Sequence, residues 1–150
     1  MKRSRHEPGA WMSSAVLLER LTAEHRRLDD LFGQLLAAMS AGDAVGARGS
    51  SEAFDDALRS HTREEEEEVF PAVSGEGLVP SSEESPSHRL YRQLRLEHVQ
   101  IRELSGMIRR LLSEGVRLDE IPGLAANLAR RWDAHTTREE KEGFSQRSGT

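Results

Sequence analysis

The chain has 150 residues, no cysteine and a formal net charge of −5 at neutral pH. That length suggests one domain with room for a core. The missing cysteine excludes disulfides, zinc–thiolate sites and thiol catalysis, and the mild acidity argues against a nucleic-acid partner.

No apolar run approaches the roughly 18 residues needed to span a membrane, so no membrane association is expected. The basic N-terminus lacks the apolar segment of a secretory signal. A soluble protein of a reducing compartment, the cytoplasm, is the expectation. Ala, Leu, Glu and Arg dominate and strand formers are sparse, which predicts an all-α fold.

Residues 1–12 are expected to form a flexible arm, because Pro8 and Gly9 break any helix there. His6 in that arm is expected to be solvated. A first helix should begin at Ser13 or Ser14 as N-cap. Its apolar stripe runs Leu18, Leu21, His25, Leu28, Phe32, Leu35, Met39, in steps of three and four. His25 takes a core slot in that series, where a lone histidine is usually a plain buried side chain. Gly42 should end the helix and Asp43 cap the next. Gly46 and Gly49 weaken its first turns, so it is secure from Ser51. Its inward series is Phe54, Ala57 or Leu58, His61, Glu65, then Glu68 or Val69, with Pro71 closing it. The acidic run from Glu64 to Glu68 covers more than a turn, so Glu64, Glu66 and Glu67 are expected on a solvated face. Glu65 differs, because it stacks one turn above His61 on the inner side.

Residues 72–85 read as a Gly-, Pro- and Ser-rich loop between two hairpins. A third helix starts with Ser85 as cap and Pro86 in the first turn. Its stripe is Tyr91, Leu94, His98, Ile101, Ser105, Ile108, Leu112, and Gly115 ends it. His88, near its start, is expected to be wet. The fourth helix begins around Asp119 to Pro122, with the stripe Ile121, Leu124, Leu128, Trp132, His135, Glu139. It should fray by Gly143. Phe144 would be a last anchor, 145–150 a disordered tail, and Trp11 and Trp132 packing residues. The bundle domain is thus expected over residues 13–144.

The two halves repeat one pattern. His25 and His61 are 36 positions apart, His98 and His135 are 37 apart, and each second histidine is followed four residues later by a glutamate. In antiparallel hairpins, residues equally far from the turn lie side by side. Counting from turns near 42 and 116, the four histidines fall within roughly 3 Å of one level at 1.5 Å rise per residue. The expected architecture is therefore an up-down-up-down four-helix bundle with a polar layer inside. Two carboxylates and four imidazoles in an apolar core are costly without a counterion. A bound cation is the economical explanation. The ligand set is nitrogen and oxygen only, which suits iron, manganese or zinc. Six ligands exceed the needs of one catalytic zinc. Two metals fit better, two histidines on each, with Glu65 and Glu139 spanning the pair. Iron ranks first, then manganese.

The pattern His25…His61-x3-Glu65…His98…His135-x3-Glu139 resembles the hemerythrin-like (HHE cation-binding) family, over roughly residues 14 to 144. Within it, the sequence resembles the subgroup with H…HxxxE…H…HxxxE. The Glu-rich run ending in Val69-Phe70-Pro71 also resembles that family's second helix. The resemblance implies a four-helix bundle holding an oxo- or hydroxo-bridged di-iron centre. It also shows a departure from the oxygen-carrying hemerythrins. Those have two histidines one turn apart on the third helix, whereas here Leu94 and Arg102 flank His98. They also have an aspartate where this chain has Glu140, and the matching ligand of the subgroup is Glu139. The resemblance thus implies more open coordination, and peroxide, nitric oxide or dioxygen as the small ligand.

Two functions follow. One is a non-haem di-iron protein that binds or turns over such oxidants, with catalase-like peroxide disproportionation among the subgroup's activities. Glu68, Tyr91 or Ser105 would then be candidates for proton transfer. The other is an oxygen or iron sensor without turnover, whose output would need a protein partner.

Overall fold

The computed structural model describes residues 14–71 and 86–143, and the secondary structure is helical throughout. The expected arm, inter-hairpin loop and tail, with His6, Trp11 and Phe144, lie outside the described residues. Four helices follow in chain order: α1 (Ser14–Ser40), α2 (Ala44–Glu64), α3 (Pro86–Glu114) and α4 (Ile121–Arg138). They form a four-helix bundle. Sequential helices pack against one another, and the α1–α4 pair approaches least closely of the adjacent pairs. Among the described residues, no helix is long and apolar enough to cross a membrane.

The turn between α1 and α2 shows why the first hairpin closes where it does. Gly42 takes a left-handed conformation at φ 71°. Its N–H bonds Met39 O at 3.1 Å and the Asp43 N–H bonds Ala38 O at 2.9 Å, which satisfies the last carbonyls of α1. Asp43 then caps α2 by accepting from the Gly46 N–H at 2.9 Å. A side chain at Gly46 would collide with that cap. The glycine that weakens the helix by propensity thus makes room for its cap, and α2 begins at Ala44, well before Ser51.

Apolar side chains divide into two clusters with a polar layer between them. The larger one fills the turn end of the bundle and includes Leu28, Phe32, Phe54, Leu58, Ile101, Ile108, Leu128 and Trp132. The smaller one holds Leu21, Val69, Phe70, Tyr91 and Leu94. Each fully buried side chain of this size stabilises the fold by about 1.5–3 kcal/mol. On α3, the inward position near the turn is Leu111 at 3% exposure, with Leu112 half-buried beside it.

Two local irregularities flank the polar layer. After Glu64 the α2 chain widens into a π turn over Glu65–Val69, and after Arg138 the α4 chain does the same over Glu139–Gly143. Each starts at the glutamate singled out by its spacing, and such turns occur often at functional sites. The extra residue shifts the face that follows. The Phe70 N–H bonds Glu65 O, five residues back, and Val69 and Phe70 turn inward. Glu68 is therefore exposed and neither braces the layer nor adds a ligand. Gly143 does not fray: it is buried, and its carbonyl accepts from the Tyr91 hydroxyl at 2.5 Å.

Candidate metal centre

Four helices each contribute one histidine to a single level, and α2 and α4 add one carboxylate each through the next turn. Glu65 stands four residues after His61, and its N–H still bonds His61 O, so α-geometry keeps the imidazole and carboxylate stacked. The same holds for His135 and Glu139. All six side chains are buried, the two glutamates at 0% exposure.

The polar atoms converge as two sets of four. In one, His25 Nε2 lies 2.9 Å from Glu139 Oε1 and 3.8 Å from Glu65 Oε2, and His61 Nε2 lies 3.1 Å from Glu65 Oε2. In the other, His98 Nε2 lies 3.0 Å from Glu65 Oε1 and 3.6 Å from Glu139 Oε2, and His135 Nε2 lies 3.1 Å from Glu139 Oε2. Within each set the candidate ligand atoms all lie within 4.8 Å of one another. Both carboxylates belong to both sets. Each set takes its two histidines from one hairpin, so the carboxylates tie the hairpins together.

These close approaches are ion-pair distances without hydrogen-bond aim. All four Nε2 atoms and all four carboxylate oxygens lack a hydrogen-bond partner although buried. Leaving buried polar groups unsatisfied costs roughly 1–3 kcal/mol each, more when they are charged. Nitrogen and oxygen atoms pointing at common centres, unbonded to each other, are what two adjacent cations require. The residues fit a metal pair.

Charge in the cation-free layer follows from the same geometry. Burial opposes charge on His25, but the nearby Glu139 and Glu65 outweigh it and push the imidazole up to about 11. For His98, burial loses to Glu139, Glu65 and Glu66, again reaching about 11. For His61, burial loses to Glu65 and Glu24, reaching about 9. His135 is raised against burial by Glu139 and Glu97. Burial would push Glu65 up, yet His61, His25 and His98 hold it well below the usual carboxylate range. Protons on the imidazoles thus occupy the role that cations would take, and metal uptake would displace them.

The outward nitrogen of every imidazole is also held. His61 Nδ1–H donates to Glu24 at 2.6 Å, His98 to Glu66 at 2.6 Å, His135 to Glu97 at 2.7 Å and His25 to Glu140 at 2.7 Å. An ionised carboxylate only accepts, so Nδ1 carries the proton and Nε2 is left to face the centre. Sequence reasoning missed all four glutamates. Glu66 was expected on a solvated face; instead it bonds His98 and Arg102. Glu64 pairs with Arg20. The signal was present, since Glu-His recurs at 24–25 and 97–98 and Glu-Glu at 65–66 and 139–140.

Other candidates fall away from the centre. Ser105 donates to Asp55 at 2.8 Å, seven residues or roughly 10 Å along α3 from His98. The Tyr91 hydroxyl is engaged with Gly143. His88 is half-buried and outside both converging sets. Trp132 packs near His25, His61 and His135, with ring centroids 5.6, 6.4 and 6.1 Å away, and its Nε1–H donates to Asp29 at 2.7 Å. Phe70 stacks on His98 at 5.6 Å from the other side. The layer is closed by aromatic rings on both sides.

A helical bundle with a histidine-flanked layer spanned by two shared carboxylates defines a class: the cation-binding four-helix bundles. Within that class the family is also shown. The model of the hemerythrin HHE cation-binding domain matches residues 16–146, and the chain belongs to that family. No curated protein and no solved structure matches the chain.

Proposed function

We infer that the chain is a non-haem di-iron protein that binds or turns over a small oxidant, with peroxide, dioxygen and nitric oxide as the candidate class. The carrying observation is the set of eight buried, unpartnered atoms arranged as two groups that share both carboxylates. In this reading His25 and His61 would hold one ion and His98 and His135 the other, with Glu65 and Glu139 available to both. Two nitrogens with carboxylate oxygens suit iron, with manganese and zinc ranked below it. Such a pair would supply electron transfer and Lewis acidity toward a small ligand.

The chain's own residues do the rest. Glu65 and Glu139 keep the ions adjacent. The position one turn before His98 is the fully buried Leu94, which offers no ligand. Arg102, one turn after it, is turned away to Thr62 and Glu66. Each set offers four candidate ligand atoms, so an ion held there would have room for an exogenous molecule. Leu21, Leu94, Phe70 and Trp132 keep bulk water from that layer. The lack of cysteine supports a reducing, cytoplasmic setting.

Iron analysis of purified protein and an oxygen electrode test this reading. Two irons per chain and oxygen evolution on adding peroxide are expected, with both lost in Glu65→Ala. Protein that takes up no iron, or iron-loaded protein inert to peroxide, dioxygen and nitric oxide, would contradict it.

A further inference from the structure

The four outer glutamates do more than brace single rings. Each accepts from the imidazole of the next helix around the bundle. Glu24 of α1 holds His61 of α2, and Glu66 holds His98 of α3. Glu97 of α3 holds His135 of α4, and Glu140, in the π turn that follows α4, returns to His25 of α1. The chain of contacts closes on itself and crosses all four seams, including the wider α1–α4 seam. Among the described residues, arginines stand on the outer side of Glu24, Glu66 and Glu97: Arg20 at 3.3 Å, Arg102 at 3.1 Å and Arg138 at 2.9 Å.

We propose that Glu24, Glu66, Glu97 and Glu140 are positioning residues whose closed ring of charge biases the metal pair toward its oxidised state. The inference rests on the di-iron reading. Each ring carboxylate is one imidazole away from an ion. With the fully buried Glu65 and Glu139, the ring would place six negative charges around two cations; the ring carboxylates are 13–34% exposed on their outer side, so solvent screens them in part and the least exposed acts most strongly. Negative charge stabilises the more positive form of the ions. It also makes each imidazole a stronger donor through Nδ1–H, which acts in the same direction. The arginines outside the ring oppose it. Glu97 should weigh most, because its side chain is 13% exposed against 34% for Glu140.

The sign of the effect separates charge from scaffolding. Glu97→Gln keeps an acceptor oxygen and removes the charge. Arg138→Gln removes a charge of opposite sign behind the same carboxylate. Midpoint potentials of iron-loaded wild type and both variants are measured by spectroelectrochemical titration, with iron counted in each. Glu97→Gln is expected to keep two irons and favour the reduced form at least tenfold, which is 59 mV upward for a one-electron step. Arg138→Gln is expected to move the potential downward, by less. Unshifted potentials, or shifts of both variants in one direction, overturn the ring's role. Glu24→Gln on the other hairpin repeats the test, and failure of both folded glutamine variants to load iron also overturns it. A wild-type chain that loads no iron sinks the di-iron reading instead.

Discussion

Helix α2 and the π turn that follows it bury two acidic sites ten residues apart, and they solve the same problem in different ways. Asp55, at 2% exposure, accepts from Arg59 Nε at 3.0 Å, Ser105 Oγ at 2.8 Å and Arg109 Nη1 at 2.9 Å. Glu65, at 0%, has no hydrogen bond on either oxygen. A buried carboxylate must be compensated, and Asp55 is compensated by the protein. Glu65 sits among imidazole nitrogens that are equally unpartnered. The contrast teaches that burial of a charge does not mark a site. Burial together with missing partners, shared by neighbours aimed at one point, does.

The largest expected difference follows from it. Glu65→Ala removes an oxygen from both converging sets, so metal content should fall from two ions to near none. Asp55→Ala should leave metal content unchanged and lower stability by about 2 kcal/mol through lost charge-assisted hydrogen bonds. Elemental analysis with urea unfolding checks both, and equal metal loss in the two variants would erase the distinction.

Next in size is stripping the metal. A ligand bound only by the folded chain stabilises it by about 4 kcal/mol when free ligand stands at 1,000 times Kd. Chelated protein should melt clearly lower than loaded protein, and the gap should vanish in Glu65→Ala. Equal melting temperatures with and without metal would argue that nothing is bound in the layer.

The two acidic sites should also respond to pH in the metal-free protein. Burial opposes charge on Asp55, but Arg59, Ser105 and Arg109 lower it below its ordinary 3.8. Its contribution is therefore present above that value and lost as pH falls through the lower folded value. His25, His61 and His98 are raised above 6.5, so their contribution is complete below 6.5 and is lost as pH rises through about 9 to 11. Unfolding curves of metal-free protein should thus weaken on the alkaline side, and loaded protein should not. An alkaline limb identical in both would count against imidazole charge in the layer.

The smallest effect concerns the apolar seal. Tyr91→Phe loses the hydroxyl bond to Gly143 and should cost about 1 kcal/mol with metal content intact. Loss of metal there would mean that the π turn after α4 sets the position of Glu139.

Much of the centre was legible in the residues. His25, His61, His98 and His135 broke apolar stripes at matching heights, and Glu65 and Glu139 followed at one-turn spacing. What stayed hidden had physical causes. Periodicity assumes an unbroken α-helix, so the π turn that carries Glu68 outward and brings Phe70 in left no trace in a count of threes and fours. Glu66 stood in a run of five glutamates, where composition points to solvent, and only the imidazole of another helix selects it. Ser105 shared the stripe of His98 but answers to Asp55, a partner 50 positions away.

The central claim is that the polar layer holds a pair of cations. Anaerobic titration of metal-free protein with ferrous iron, followed by calorimetry with proton release recorded in parallel, tests it most directly. Saturation at two ions per chain, with protons given up as the imidazoles lose them, is the expected result. A folded chain that takes up no iron, or one that saturates at a single ion without releasing protons, would contradict the account.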